Sequence, residues 1–188
     1  MFFASISFSQ PKTNLELFYE LIDSSVSEFS SKLPESSDSI KLKLNLGETY
    51  SVFNNQVVEG IYSSGKHIIS ERNENGNRPL VNYVIDDVKV EYGEIFRDGF
   101  FGDYHIPRNL SLKGNYLIVS DITVMRNFYY SSNDTIRIDE VTNVENESYP
   151  FTKGSLPAEP FFSGLFEPLV TLSTTALAII LFFSIRSK

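Results

Sequence analysis

The sequence contains no cysteine in its 188 residues. This absence excludes disulfides, thiolate catalysis, iron–sulfur clusters and the commonest structural zinc sites. A chain without thiols is compatible with an oxidising compartment. Bacterial extracytoplasmic proteins dispense with disulfides more readily than small eukaryotic ectodomains do.

Positive charge is also scarce. The chain has 16 Lys and Arg against 24 Asp and Glu, a formal net charge of -8, and no block of basic residues. A nucleic-acid partner requires clustered cations that displace counterions, and an anionic membrane surface attracts the same clusters. We therefore expect no nucleic-acid partner.

Motifs that carry chemistry are missing as well. The sequence has neither a glycine-rich phosphate loop nor a nucleophile elbow, and neither histidine lies in a predicted helix with a carboxylate or a second histidine three or four residues further on. One alternative is a metal-dependent hydrolase that uses Asp98, Asp103 and His105 in the stretch "DGFFGDYHIPRN". Asp and Gly are common in hairpin loops, so the loop-forming interpretation is favoured. We predict a protein that is not an enzyme, with no metal and no cofactor.

The same predicted loop carries three aromatic residues, Phe100, Phe101 and Tyr104. Large rigid rings on a glycine-hinged loop suit a protein–protein contact, because they give contact area at little entropic cost. They suit equally a position against the face of a sheet. Both interpretations stay open from the sequence.

The long hydrophobic run lies near the end of the chain. Residues 168–185 read "PLVTLSTTALAIILFFSI", without a charge, and Arg186 and Lys188 follow. A helix of this length spans roughly 27 Å, enough to cross the hydrocarbon core of a bilayer. The alternative is a buried core helix, but after Thr175 the run is apolar on every side. We predict a single transmembrane helix bounded by Leu169 and Ile185, with residues 186–188 in the cytoplasm.

That orientation requires an exported N-terminus. The opening "MFFASISFSQPK" places small residues at Ser7 and Ser9 after a short apolar run, the pattern that signal peptidase recognises. We predict that residues 1–9 are the remainder of a signal peptide, cleaved after Ser9. Between the body and the anchor, residues 148–167 are rich in proline and glycine and are predicted to form an extended juxtamembrane linker.

Residues 10–147 form the predicted folded body. Thr13 and Glu16 make a capping box that starts an amphipathic helix, and a strand, a second helix and a second strand follow, the order of a parallel crossover. Segments 80–96, 109–119 and 122–130 alternate as antiparallel strands, with a bulge near Asp86. The predicted class is α+β, with two helices on one face of a mixed, mostly antiparallel sheet of about five strands.

Three segments carry a resemblance to a known group of proteins. They are "LELFYELIDSSVSEFSSKL", "VFNNQVVEGIYSSGKHII" and the pair "LVNYVIDDVKVEYGEIF" with "NLSLKGNYLIVSDITV". Over residues 13–140 their order resembles the small periplasmic α/β domains of envelope-assembly lipoproteins, of the curli-secretion and flagellar outer-membrane-associated type. The chain differs from that group because it has no lipobox cysteine. The resemblance implies a role in envelope assembly or secretion.

These observations together predict a non-enzymatic, single-pass protein of the bacterial cell membrane. Its folded domain would lie on the periplasmic side. Its predicted partners are the lipid bilayer, through the C-terminal helix, and other proteins of the cell envelope.

Overall fold

A computed structural model describes residues 10–34, 37–69, 78–99 and 102–158. The chain divides into two units, Met1–Ser155 and Leu156–Lys188, and the described helices and strands all lie in the first. The elements, in chain order, are α1 Asn14–Ser30, β1 Ser39–Asn45, α2 Asn54–Ser63, β2 His67–Ile69, β3 Leu80–Tyr92, β4 Phe96–Arg97, β5 Tyr104–Val119, β6 Thr123–Arg137 and α3 Val141–Val144.

Helix α1 begins with the capping box that the sequence predicts. The Thr13 hydroxyl accepts from the Glu16 amide at 3.2 Å, and the Glu16 carboxylate accepts from the Thr13 amide at 2.7 Å. Both bonds satisfy donors that a helix N-terminus leaves free. The apolar stripe of the helix is buried in the core: Leu17, Phe18, Leu21, Ile22, Val26 and Phe29.

The sheet is mixed, as predicted. Strand β1 pairs in parallel with β2, which follows α2 in the chain, so the predicted parallel crossover is confirmed. On its other side β1 pairs in parallel with β3. Strands β3, β5 and β6 then form an antiparallel meander, and the predicted bulge lies between Ile85 and Asp87.

The α+β class is confirmed, with differences in extent. The sheet has six strands in place of about five, in the order β2-β1-β3-β5, with β6 on the far side of β5 and the short β4 continuing the line of β3. The described part also includes a third, four-residue helix, α3. Helices α1 and α2 pack over the buried face of the sheet, and the large core lies between the two layers.

The loop predicted from residue 98 ends earlier than expected. Strand β5 begins at Tyr104, and β6 continues to Arg137, so the two strands pair from His105↔Arg137 to Val119↔Thr123. Pro107 and Arg108 interrupt the hydrophobic alternation that marks a strand in the sequence. Arg108 is nevertheless buried, because an ion pair with a residue of β6 satisfies its charge.

Residues 148–155, assigned to the linker from the sequence, belong to the folded unit. A 3-10 turn at Pro150–Thr152 places the Phe151 ring 5.3 Å from that of Phe53, and Thr152 is fully buried. Pro150 stands at the first position of this turn, where a missing backbone N–H costs nothing. The aromatic residue after it supplies the apolar contact that holds the segment on the core.

The predicted cleavage site at Ser9 and the predicted anchor, with its ends Leu169 and Ile185, lie outside the described residues. Within the described ranges, the helices are all too short or too polar to span a membrane.

Candidate interaction surface on the open face of the sheet

The two faces of the sheet differ in what covers them. Along β5, side chains alternate between faces, and the even-numbered residues from Ile106 to Ile118 are buried against the helices. The odd-numbered residues of β5 and their partners on β6 share the opposite face. Among the described residues, the helices pack on the first face alone. We call the second the open face.

Large apolar side chains are exposed along the hairpin that joins β5 and β6, from its turn to the middle of β6. Val119 is 39% exposed, Met125 64% and Tyr129 57%, while Ile122 in the turn between the strands is 74% exposed. We call these four residues the hairpin patch. Leu117, half-buried, lies directly opposite Met125 in the register and continues the apolar surface inward. Clustered exposed apolar groups of this kind mark interaction sites more often than scattered single ones do.

A polar row borders the patch on the same face. Lys113 pairs with Tyr129 across the β5–β6 register and with Asp87 across the β3–β5 register. Its ammonium lies 5.8 Å from the centre of the Tyr129 ring and 3.8 Å from the Asp87 carboxylate. The row holds the Tyr129 ring beside a cation. It gives the apolar patch a charged rim, the arrangement common in protein interfaces.

The opposite face fixes the strands that carry the patch. Glu28 of α1 accepts hydrogen bonds from the hydroxyls of Tyr116 on β5, at 3.1 Å, and Tyr130 on β6, at 2.5 Å. Burial, together with these bonds to a carboxylate, raises the pKa of Tyr116 to about 12, and the same causes raise the pKa of Tyr130. The two phenols therefore stay neutral and donate at physiological pH. Glu28 thus joins α1 to both strands of the hairpin.

A second buried support lies near the start of β5. The Arg108 guanidinium donates to the Asp134 carboxylate, to the Asn14 side chain at 2.6 Å and to the Lys12 carbonyl at 3.0 Å. Asn14 in turn donates to the Thr152 carbonyl at 2.7 Å. These bonds join both ends of the folded unit to β5 and β6. Their donors and acceptors satisfy one another, so the cluster is structural.

The predicted interaction loop is described in part. Phe100 and Phe101 lie outside the described residues, and Tyr104 is the first residue of β5. The Arg97 guanidinium lies 5.0 Å above the Tyr104 ring, and its Nε donates to the Gly102 carbonyl. Tyr104 is therefore half-buried under a cation, whereas the hairpin patch is open. The interaction role of this loop stays a prediction.

The residues of the hydrolase alternative do not converge. Asp103 lies 3.8 Å from the Arg137 guanidinium, and the His105 ring stacks against the exposed Phe96 ring at 5.8 Å. The Asp98 amide donates to the Asp103 carbonyl, a bond that closes the loop. Within the described ranges no three His, Asp or Glu side chains come close enough together to hold a metal ion.

The hairpin patch is not predicted from the sequence, because the alternation that predicts β6 uses only the residues on one face of the strand. Val124, Phe128 and Tyr130 lie on the buried phase, and Met125 and Tyr129 alternate with them. A strand that is apolar on both phases has two faces to cover. That signal is present in "TVMRNFYY" and would have indicated the second surface.

No family model and no curated protein matches the chain. Among solved structures, it is similar to the rare lipoprotein B from Shewanella oneidensis, at 13% identity and a TM-score of 0.33, over 78% of this chain and 94% of that one. It is also similar to a minor lipoprotein from Acinetobacter baumannii, at 7% identity and a TM-score of 0.33, over 56% of this chain and 70% of that one.

Proposed function

We propose that the protein is a non-enzymatic interaction domain of the bacterial cell envelope, and that it binds another envelope protein through the hairpin patch. The observation that carries the proposal is the patch itself. Val119, Ile122, Met125 and Tyr129 expose apolar surface on one hairpin, while the same strands are anchored to α1 on their other face. Burying such surface is favourable by about 25 cal/mol per Å².

The membrane attachment is part of the proposal. The uncharged run at 168–185 supports a single-pass anchor, and the basic residues after it support a cytoplasmic C-terminus with the folded domain on the periplasmic side. The apolar opening of the chain supports export and cleavage after Ser9. In this arrangement the anchor keeps the domain at the membrane surface, where its partner is another envelope protein.

The aromatic loop at residues 98–103, with Phe100 and Phe101, is the second contact that we propose. The phenylalanines suit the same kind of partner as the hairpin patch does. Substituting both with serine separates the two contacts: loss of binding only in this variant would assign the partner to the loop.

The binding proposal is tested with a matched pair of tyrosine variants. Tyr129 on β6 is 57% exposed, and Tyr62 on α2 is 49% exposed, so Tyr129→Ser and Tyr62→Ser remove similar apolar surface from different faces. After crosslinking in membranes, we expect the protein to co-purify with one discrete envelope protein. Tyr129→Ser should lose that protein, and Tyr62→Ser should retain it. Equal recovery by both variants would contradict the proposal.

The topology is tested independently by protease accessibility in spheroplasts. External protease should digest residues 13–155 and leave the C-terminal segment protected. Mass spectrometry of the mature chain should find Gln10 at its N-terminus. Protection of the folded unit from external protease would exclude the proposed orientation.

A further inference from the structure

Strand β6 is the long free edge of the sheet. It runs for 15 residues, Thr123–Arg137, and pairs only with β5 within the part of the chain that the structure describes. Its register with β5 is continuous, without a bulge, and its sequence holds neither proline nor lysine. Natural edge strands use these three devices, and charged side chains as well, to prevent pairing with another chain. The free edge of β6 lacks the first three, and its charged residues, Arg126, Asp134 and Arg137, are of both signs.

The sequence of β6 is complementary to itself when it is reversed about Tyr130. An antiparallel second copy with Tyr130 opposite Tyr130 places Arg126 opposite Asp134, and the same pair recurs by symmetry. Two further cross-strand pairs of this register are alike, Val124 with Ile136 and Asn127 with Asn133. The remaining pairs, Thr123 with Arg137, Met125 with Thr135, Phe128 with Ser132 and Tyr129 with Ser131, place no two charges of like sign opposite each other. Opposite charges directly across a strand pair are stabilising, and like charges are destabilising.

The two charges are accessible for this pairing. Arg126 is exposed and makes no ion pair within the described residues. Asp134 binds Arg108 of its own chain, yet 38% of its side chain remains exposed. Moving the register by two residues places Arg126 opposite Ser132 in one direction and opposite Ile136 in the other. Charge complementarity therefore selects the register centred on Tyr130.

We propose that two copies of this chain associate through β6, antiparallel about a twofold axis at Tyr130. The pair is isologous, because the same residues contribute from each copy. It joins the two sheets into one continuous sheet and places the two hairpin patches on a shared open face. The contact uses the backbone edge of β6 and does not depend on a partner at the hairpin patch.

Engineered cysteines test the register in the full chain, which has none of its own. In the double variant Asn127→Cys with Asn133→Cys, the cysteine at position 127 of each copy lies opposite the cysteine at position 133 of the other. Their separation is one that a disulfide spans. Within one copy the two positions are about 20 Å apart, so an intrachain bond cannot form. Both positions are exposed. We expect mild oxidation to convert this variant to a covalent dimer.

Two controls define the register. Asn127→Cys alone should remain monomeric on a non-reducing gel, because the cysteines at position 127 of the two copies lie about 20 Å apart. The double variant Asn127→Cys with Ser131→Cys places cysteines in direct opposition only in a register moved by two residues. Faster crosslinking by this second pair would overturn the proposed register.

A charge reversal tests the association itself. Arg126→Glu places a carboxylate opposite Asp134 of the second copy, whereas Lys43→Glu makes the same change of charge on an exposed site of β1. In sedimentation equilibrium of the full chain in a density-matched detergent, we expect Arg126→Glu to weaken association at least about tenfold. Lys43→Glu should associate like the unmodified chain.

The outcomes separate this proposal from the proposed function. A monomeric chain that gives no disulfide would overturn the pairing. An equal effect of the two charge reversals would also overturn it. Neither result bears on the loss of a partner in Tyr129→Ser, because Tyr129 is tested on the open face of the sheet.

Discussion

The Arg108 guanidinium, fully buried, donates two hydrogen bonds to the Asp134 carboxylate, Nε to Oδ1 at 2.8 Å and Nη2 to Oδ2 at 2.5 Å. The pair joins β5 to β6 at the end of the sheet where the sequence predicts a loop. Bidentate hydrogen bonds between a guanidinium and a carboxylate are stronger than hydrogen bonds between neutral groups. Both residues lie beyond the ends that the sequence predicts for these strands, and the carboxylate gives the buried guanidinium its counter-charge.

We expect Asp134→Asn to lower the free energy of unfolding by about 3 kcal/mol, since it leaves a buried guanidinium without its counter-charge. Urea denaturation measures the change. Glu48→Gln, which removes one carboxylate from an exposed turn, should leave the unfolding midpoint unchanged. Equal midpoints for the two variants would show that the ion pair does not hold the strands.

The tyrosines beneath α1 predict how stability depends on pH. Burial and the Glu28 carboxylate raise the pKa of Tyr116 from 10.0 to about 12. In the unfolded chain the phenol ionises near 10, so above that pH the unfolded state binds fewer protons than the folded state. The stabilisation is complete below pH 10 and is lost as the pH rises to about 12. Thermal unfolding from pH 8 to 12 should show this decline.

Tyr116→Phe combined with Tyr130→Phe should flatten the same profile, because both phenols that donate to Glu28 are removed. The remaining tyrosines also contribute to the alkaline loss of stability. A spectroscopic titration of phenolate absorbance records their ionisation. An unchanged alkaline decline in this double variant would assign it to other groups.

Gly114 lies in β5 between its partners Ile85 on β3 and Phe128 on β6, and we expect Gly114→Ala to be among the most destabilising single changes. A Cβ built there overlaps the Val84 carbonyl oxygen and the Phe128 ring, which covers the glycine. Overpacking of this kind costs about 1–3 kcal/mol. Gly93→Ala is the matched control, because its Cβ meets only the Pro107 side chain, at 3.2 Å. Calorimetric melting temperatures should rank Gly114→Ala well below Gly93→Ala.

The end of the folded unit gives a further test. Phe151 packs against the rings of Phe18 at 6.0 Å and Phe53 at 5.3 Å. We expect Phe151→Ala to lower the free energy of unfolding by about 3 kcal/mol. Leu156→Ala, at a position 51% exposed, should change it by less than about 0.5 kcal/mol. Similar effects of the two changes would show that residues 148–155 do not contribute to the stability of the folded unit.

Much of the body could be predicted because its signals are local. The capping box at Thr13, the stripe of α1 and the bulge after Ile85 each depend on a few neighbouring residues. The alternation of apolar and polar residues predicted the central part of the sheet for the same reason.

What the sequence did not predict depends on contacts between distant segments. Arg108 and Asp134 extend the hairpin, although they are 26 residues apart and each alone reads as a loop residue. Phe151 reads as part of a proline-rich linker until its aromatic neighbours in the core are known. The sequence of β6 signals two apolar surfaces, but which of them the helices cover is decided by the packing of distant segments.

The most direct test of the proposed function is site-specific photo-crosslinking in intact membranes. A photoreactive phenylalanine analogue at Tyr129 should give one discrete adduct with an envelope protein, and the same analogue at Tyr62, on the helical side, should not. Adducts of equal yield at both positions, or none at Tyr129, would contradict the assignment of the hairpin patch as the binding surface.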